Sequence, residues 1–364
     1  MPTPTPTSGR AAPARDDSDA RGEGATGRIV FVPVSGGPGS GEVQRCRLLA
    51  DALASAHPGL EPHFLLAEGT PPLPWPTTVL GASPTRAVAE VVAAIATLQP
   101  AVVVFDGNTR VAALEAARRA GARVVLVSSR PSARDRGFRW RRMARLDEHW
   151  LVGADLMNER GLRERLGRWR HPQVEVRRFA TLFTPPAALE PVLHRLGLAQ
   201  PYAVVCHGGG RHLLGGRSAA GLFAEIASAS AHAGLATLAV AAPARSPALQ
   251  VDALPNAELM AVLAGAEAAL LGGGSLLVQA LALGTPVLAL PLQAEQAARV
   301  GWLEDAGAVM RADPTADAGE LAAALRALAD SDSTRARLRD NARGLGLGNG
   351  LPAAVEALAT LAVR

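Results

Sequence analysis

The stretch Gly272-Gly273-Gly274-Ser275-Leu276-Leu277-Val278-Gln279-Ala280-Leu281-Ala282-Leu283-Gly284-Thr285-Pro286-Val287-Leu288-Ala289-Leu290-Pro291-Leu292-Gln293-Ala294-Glu295-Gln296 reads as a glycine turn, a short helix, a strand and a polar loop entering another helix. The apolar run Ala268-Leu271 lies directly before it, so three glycines and Ser275 fall where a buried strand ends and a helix begins. The first N–H groups of a helix lack intrahelical partners and carry partial positive charge, which suits a phosphate or diphosphate. The same glycines also serve plain packing of a helix on a strand. Glu295-Gln296, at the end of the next strand, adds side chains that reach the hydroxyls of a bound ligand.

Working outward, the same alternation runs through the whole chain. In the first half the expected strands are Arg28-Val34, Glu61-Leu66, Ala101-Asp106, Arg123-Ser128, Glu148-Gly153 and Val174-Phe179. Helices are expected at Glu42-Ala56, Thr85-Leu98 and Thr109-Ala120. Most of these strands are unbroken aliphatic runs, as expected where helices cover both faces of a parallel sheet. In the second half the expected strands are Tyr202-Cys206, Ala236-Ala241, Ala268-Leu271 and Pro286-Leu290. The helices are Ser218-Ala231, Asn256-Gly265, Leu276-Leu283, Asp317-Ala329, Ser333-Leu345 and Pro352-Val363. The expected organisation is a disordered tail at 1–27, an N-terminal domain at 28–180, a linker at 181–186 with two prolines, and a C-terminal domain at 187–348. A last helix in 349–364 crosses back. Open α/β sheets bind ligands beyond the carboxyl ends of their strands, so two facing domains place the chemistry in a cleft.

A chain of 364 residues suits two cores, and its 48% hydrophobic content fills them, while only 4% aromatic residues argues against an aromatic-lined pocket. A net charge of +4 is too small for a dedicated nucleic-acid binder. Cys46 and Cys206 fall on a helix and a buried strand, as reduced core thiols of a cytoplasmic protein do. No apolar run reaches the roughly 18 residues that span a bilayer, and Met1-Thr26 has no apolar signal-peptide segment.

The C-terminal half resembles the donor-binding domain of GT-B glycosyltransferases. The group in question holds the lipid-linked N-acetylglucosaminyltransferase of peptidoglycan synthesis and the UDP-sugar hydrolase of pseudaminic acid synthesis. The resemblance rests on Glu258-Leu259-Met260, Ala264-Gly265-Ala266, Gly272-Ser275, Gln279-Ala280-Leu281, Gly284-Thr285-Pro286, Pro291 and Glu295-Gln296. The N-terminal half is similar to the same group in Gly39-Ser40-Gly41-Glu42-Val43-Gln44-Arg45 and Leu48-Leu49-Ala50-Asp51-Ala52-Leu53. The resemblance implies a GT-B fold: α/β, two Rossmann-like domains with parallel sheets facing an interdomain cleft. It further implies an NDP-sugar donor, most readily a UDP-sugar, no cofactor, no metal, and a bacterial cell-envelope polysaccharide setting. Two departures stand out. Glu42 occupies the place of a histidine base, and Gln279 that of a glutamate that holds the ribose hydroxyls. A carboxylate replaces the histidine base only if its pKa is raised or the leaving group needs little help. Glutamine gives up the charge-assisted bidentate bond to the ribose.

The expected site residues follow. Glu42 is the first candidate base, its alternative being an ordinary helix-start acid. Asp106, at the tip of the strand Ala101-Asp106, is the second candidate base, its alternative being a cap for the helix near Thr109. Arg45, Gly39 and Gly41 are expected to contact acceptor or phosphate, with a solvated cation and a tight turn as the plain alternatives. On the donor side stand Gly208, Gly209, Gly210 and Arg211 after the strand Tyr202-Cys206. They are joined by Gly273, Gly274, Ser275 and Leu276 at the glycine turn, with Gln279, Glu295 and Gln296. His207 and His212 read as loop residues, since no acidic partner at ligand spacing supports a metal. Arg134-Arg145 carries six arginines with Phe138, Trp140 and Met143 packing inward. As a helix it offers peripheral membrane contact and a place for a lipid-linked acceptor.

The function expected is transfer of a sugar from an NDP-sugar to an acceptor hydroxyl with inversion. The alternatives are hydrolysis of the nucleotide sugar and binding without chemistry. The diphosphate leaving group is expected to be stabilised by helix-start amides.

Overall fold

The computed structural model describes residues 27–35, 41–157, 161–208, 213–214, 216–244 and 246–363. The tail expected at 1–27 lies outside the described residues except for Gly27, which opens the first strand. Among the described residues the chain builds two parallel sheets. The first holds β1 (Gly27–Pro33), β2 (Leu60–Ala67), β3 (Thr77–Leu80), β4 (Val102–Asp106), β5 (Arg123–Ser128), β6 (Glu148–Val152) and β7 (Glu175–Phe179), in the order β3-β2-β1-β4-β5-β6-β7. The second half begins with β8 (Ala203–Cys206). A small antiparallel ribbon, β9 (Leu213–Leu214) and β10 (Arg217–Ser218), stands apart from the sheet. Then come β11 (Thr237–Val240), β12 (Leu249–Val251), β13 (Ala268–Gly272), β14 (Val287–Leu290) and β15 (Met310–Arg311), with sheet order β12-β11-β8-β13-β14-β15.

Helices join these strands as parallel crossovers require. The first lobe carries α1 (Gly41–Ala56), α2 (Val88–Leu98), α3 (Val111–Arg119), α4 (Pro131–Gly137), α5 (Trp140–Met143) and α6 (Gly161–Arg170). The second carries α7 (Leu189–Leu196), α8 (Ala219–His232), α9 (Asn256–Ala264), α10 (Ser275–Ala282), α11 (Ala294–Asp305), α12 (Ala318–Asp330) and α13 (Asp332–Gly344). A last helix, α14 (Leu351–Val363), returns to the first lobe and packs on α1 and β4.

Each sheet is covered on both faces, which is why its central strands are apolar along most of their length. One face of the first sheet buries Ile29, Phe31, Val104 and Trp150 against α1 and α14, and the other buries Val30, Val103, Phe105 and Leu126 against α2 and α3. The second sheet has the same two-sided plan, with Val204, Leu271 and Ala289 on one face and Val205, Leu270 and Leu288 on the other. Local signals agree with the elements. α12 starts with a full capping box between Asp317 and Glu320, and α7 ends on Gly197 in the left-handed conformation.

The junction between lobes is a double strap. Residues 181–183 and 349–351 run side by side, with Gly350 N–H donating to Thr181 O at 2.9 Å. Asn349 Nδ2 donates to Phe183 O at 2.7 Å, and Asn349 Oδ1 accepts from Phe183 N–H at 3.1 Å. Thr181, Leu182 and Phe183 are buried.

Several expectations are corrected. The edge strands β3, β12 and β15 were not legible, because a short strand at the margin of a sheet needs little apolar run. Arg134-Arg145 is not one helix: Phe138 and Arg139 separate α4 from α5. Phe138 and Met143 pack inward as expected, but Trp140 points out, and Arg134 is buried against Glu164.

Candidate functional site

In the first sheet β1 lies between β2 and β4, so the chain order reverses at the β1/β4 gap. In the second it reverses at β8/β13. The crevice beyond the strand ends at such a point is where open parallel sheets take ligands. Glu42 and Asp106 stand at the first of these points, Gly208 and the glycine turn at the second.

Asp106 ends β4 opposite Pro33 of β1. The next residue, Gly107, adopts φ +91°, and a β-carbon there would stand 3.1 Å from Val34 and 3.4 Å from the Glu42 side chain. The absent side chain leaves room for Glu42 to lie along the strand ends. Glu42 Oε1 sits 3.8 Å from Arg130 Nη2. Arg130 precedes Pro131, which favours the extended backbone found there, φ −137° and ψ 148°. From that position its Nε lies 3.9 Å from Glu295 Oε2 of the second lobe. One cation therefore stands between two carboxylates, one from each lobe.

Asp106 does something other than expected. Its side chain is fully buried and takes a forked pair from Arg45, with Nε to Oδ2 at 2.7 Å and Nη2 to Oδ1 at 2.6 Å. Arg45 Nη2 also donates to Ser129 Oγ at 3.2 Å, and Cys46 Sγ donates to Asp106 Oδ2 at 3.7 Å. Burial pushes the Asp106 carboxyl up to about 6, with Arg45 acting the other way, and pushes the Cys46 thiol well above its usual value. Asp106 keeps the Arg45 guanidinium charged despite its burial. Both residues are thus committed to each other beneath the cleft floor. The Asp106 base and the Arg45 substrate contact give way to an internal ion pair, because both carboxylate oxygens are engaged by Arg45 and the side chain exposes no surface to the cleft.

Across the cleft the glycine turn divides in two. Gly272 and Gly273 are there for packing: added β-carbons would stand 2.6 Å from His207 O and 2.8 Å from Gln296 Cβ. Among the described residues Gly274 has nothing within 4 Å of such a carbon, and Ser275 is exposed. Gly274 is the N-cap of α10, and among the described residues no side chain caps this helix start, which lies beside half-buried Leu276. The turn opens on the gap between lobes. Arg299 Nη1 donates to Gly273 O at 3.1 Å while its Nε donates to Asp155 Oδ1 of the first lobe at 3.1 Å.

Gln296 commits its Oε1 to the scaffold: it accepts from Gly273 N–H at 3.1 Å and from Leu292 N–H at 2.9 Å, tying two loops together. Gln279 is buried and donates to Leu182 O at 2.8 Å, gripping the interlobe strap and not a ribose. Both donor contacts are corrected for the same reason, since buried backbone groups claimed these amides first. Glu295 remains exposed beside the cleft. Gly208 takes φ +87°, a conformation that glycine supplies without strain, and among the described residues nothing lies within 4 Å of a β-carbon at Gly41. Gly39, Gly209, Gly210, Arg211 and His212 lie outside the described residues. Among the described residues no group of three His, Cys, Asp or Glu is placed to hold a metal ion.

The site thus brings together Glu42, Glu295 and the α10 start, and leaves Asp106, Arg45, Gln279 and Gln296 in the scaffold. The residues the sequence reading missed are Arg130, Asp155 and Arg299. Arg130 carried a signal, since it follows the apolar run of β5 and precedes a proline, as a strand-tip residue does. Asp155 and Arg299 carried none, because they meet only across the lobes.

No protein-family profile matches the chain, and no curated protein matches it. Solved structures do. UGT2 of Phytolacca americana, complexed with UDP-2fluoro-glucose and pterostilbene, is 14% identical and superposes with a TM-score of 0.62, covering 93% of this chain and 100% of that one. The spinosyn forosaminyltransferase SpnP is 17% identical with a TM-score of 0.62, covering 93% and 100%. MurG of Acinetobacter baumannii is 15% identical with a TM-score of 0.55, covering 92% and 98%. At such identities the likeness speaks for the fold. The two facing parallel-sheet lobes are a GT-B fold.

Proposed function

We propose that this GT-B chain is a glycosyltransferase that takes a nucleoside diphosphate sugar on its second lobe and an acceptor hydroxyl from its first. The observation that carries the reading is the convergence of Glu42 and Glu295, from opposite lobes, on Arg130 beside the uncapped start of α10. Relatives in fold are described with UDP or a UDP-sugar, and VinC with DTDP, which supports a nucleotide-sugar donor. In this reading the α10 amides and Ser275 hold the diphosphate, Glu295 faces the donor sugar, and Glu42 takes the proton from the acceptor hydroxyl as it attacks the anomeric carbon. The bond to the diphosphate breaks as the new glycosidic bond forms, with inversion. The charge that develops on the leaving diphosphate meets preorganised N–H groups, which stabilise it without reorganisation. Arg130 lies between the Glu42 and Glu295 carboxylates, where its guanidinium can also meet the diphosphate of a donor.

Titration calorimetry with UDP, TDP and GDP, followed by turnover with the matching sugars, tests this. Glu42→Gln is expected to abolish turnover and to leave nucleotide binding intact. Unchanged turnover removes Glu42 from the mechanism, and failure of every nucleotide to bind removes the donor site. Product analysis without acceptor separates transfer from hydrolysis to water.

A further inference from the structure

Helix α6, Gly161–Arg170, is built inside out. At 100° per residue Leu162, Leu166 and Trp169 fall at i, i+4 and i+7 on one face, and they are 68%, 52% and 76% exposed. The opposite face turns inward, yet carries Glu164 and Gly167. Glu164 is buried and paired with Arg134 and Arg178. Gly167 lies against Phe138, whose carbonyl oxygen would stand 3.1 Å from a β-carbon there. Ion pairs and close backbone approach therefore attach this helix, and its apolar stripe is left mostly to solvent.

The stripe has a charged border. Arg163 and Arg170 fall on one flank and Arg165 on the other, all exposed. The acid of α6, Glu164, is withdrawn into the interior, so the outward face presents cations alone. Next to it, α5 packs on α6 and shows Trp140, 65% exposed, with the Arg141 guanidinium 5.3 Å from its ring centroid. Asp135 of α4 is the exposed acid of the two preceding helices, against Arg139 and Arg141.

We propose that this face of α5 and α6 docks on an anionic lipid bilayer. Leu162, Leu166, Trp169 and Trp140 enter the headgroup boundary, and the arginines that frame them meet the anionic headgroups. The pattern is that of a helix lying in a membrane interface: an apolar stripe with tryptophan, basic flanks and, within α6 itself, no exposed acid. Long arginine side chains suit that border, since their stems bury while the guanidinium stays at the charged layer. The residues at 1–26 are a poor alternative occupant, because beyond Met1 they offer no side chain larger than alanine or proline that is apolar. The proposal stands on this surface alone and does not depend on the donor reading.

Vesicle flotation of the full chain tests it, using phosphatidylcholine vesicles with and without phosphatidylglycerol. The chain is expected to float with the anionic vesicles and not with the neutral ones, and to be released by salt. The exposed double variant Leu166→Gln/Trp169→Gln is expected to partition at least about tenfold more weakly, with an unchanged melting temperature and unchanged nucleotide binding. Equal binding to neutral vesicles, no binding to either, or flotation of the double variant like the parent overturns it. So does a lipid-free dimer that the double variant turns into monomer, because the stripe is then an interface between copies.

Discussion

Replacing Asp106 by asparagine separates a scaffold residue from a chemical one. The carboxylate is inaccessible and receives two guanidinium hydrogen bonds at 2.7 and 2.6 Å. Asparagine keeps the shape but offers one acceptor, and it leaves the Arg45 charge buried without a counter-ion. Hydrogen bonds to charged groups are worth about 1.5–3 kcal/mol each, and breaking one side of a buried pair costs roughly 3–5 kcal/mol. For a lobe of this size that amounts to a fall of about 6–20 °C in melting temperature. Tryptophan fluorescence in a urea titration is the assay. Trp75, Trp140, Trp150 and Trp169 precede the interlobe strap, and Trp150 is wholly buried in the first core, so the signal reports this lobe. Arg45→Met/Asp106→Leu is expected to recover most of the loss, since an apolar pair of similar volume often matches a buried ion pair. A transition for Asp106→Asn at the parental urea concentration, with turnover gone, refutes the scaffold assignment and makes Asp106 a reacting group.

His149 predicts an acid-sensitive fold. It is wholly buried with Nε2 3.0 Å from Ser128 Oγ and its ring against Phe138, and burial followed by Arg134, Arg142 and Arg178 lowers its pKa to about 3. The unfolded chain takes this proton near 6.5, so the stabilisation is complete above that pH and drains as pH falls toward 3. Between pH 6.5 and 5 the loss is about 2 kcal/mol. Urea midpoints across that window are expected to fall in the parent and to flatten in His149→Gln, and equal slopes refute it. The glycine turn predicts a split between neighbours. Gly273→Ala drives a β-carbon into Gln296 and Val300 and is expected to destabilise the second lobe by about 1–3 kcal/mol. Gly274→Ala, in open space, is expected to keep the melting temperature and weaken nucleotide binding measured by calorimetry. Equal melting temperatures for the two variants contradict the division.

The alternation of aliphatic runs and helical stretches made the two-lobed parallel architecture legible, because a strand buried on both faces must be apolar along its length and Val102-Phe105 or Val124-Val127 could be little else. The glycine turn at 272–275 was legible as a strand-to-helix corner for the same local reason. The two-residue β15 and the short edge strands β3 and β12 lacked that imprint. So did the splitting of Arg134-Arg145 into two helices, and the burial of Arg134, whose partner Glu164 is thirty residues away.

The sequence alone determined the central strands and the longer helices, where strand tips place polar residues, and that two such halves follow each other. Those properties are set by backbone sterics and by side chains acting within one element. Only the tertiary structure decided what each polar tip is used for. Asp106 and Arg45 cancel each other beneath the cleft, Gln296 and Gln279 serve buried backbone groups, and Glu42 and Glu295 meet at Arg130. The physical reason is that a charge or amide taken out of water binds whichever complementary group packing brings within about 3 Å, and that partner lies on another element, often on the other lobe.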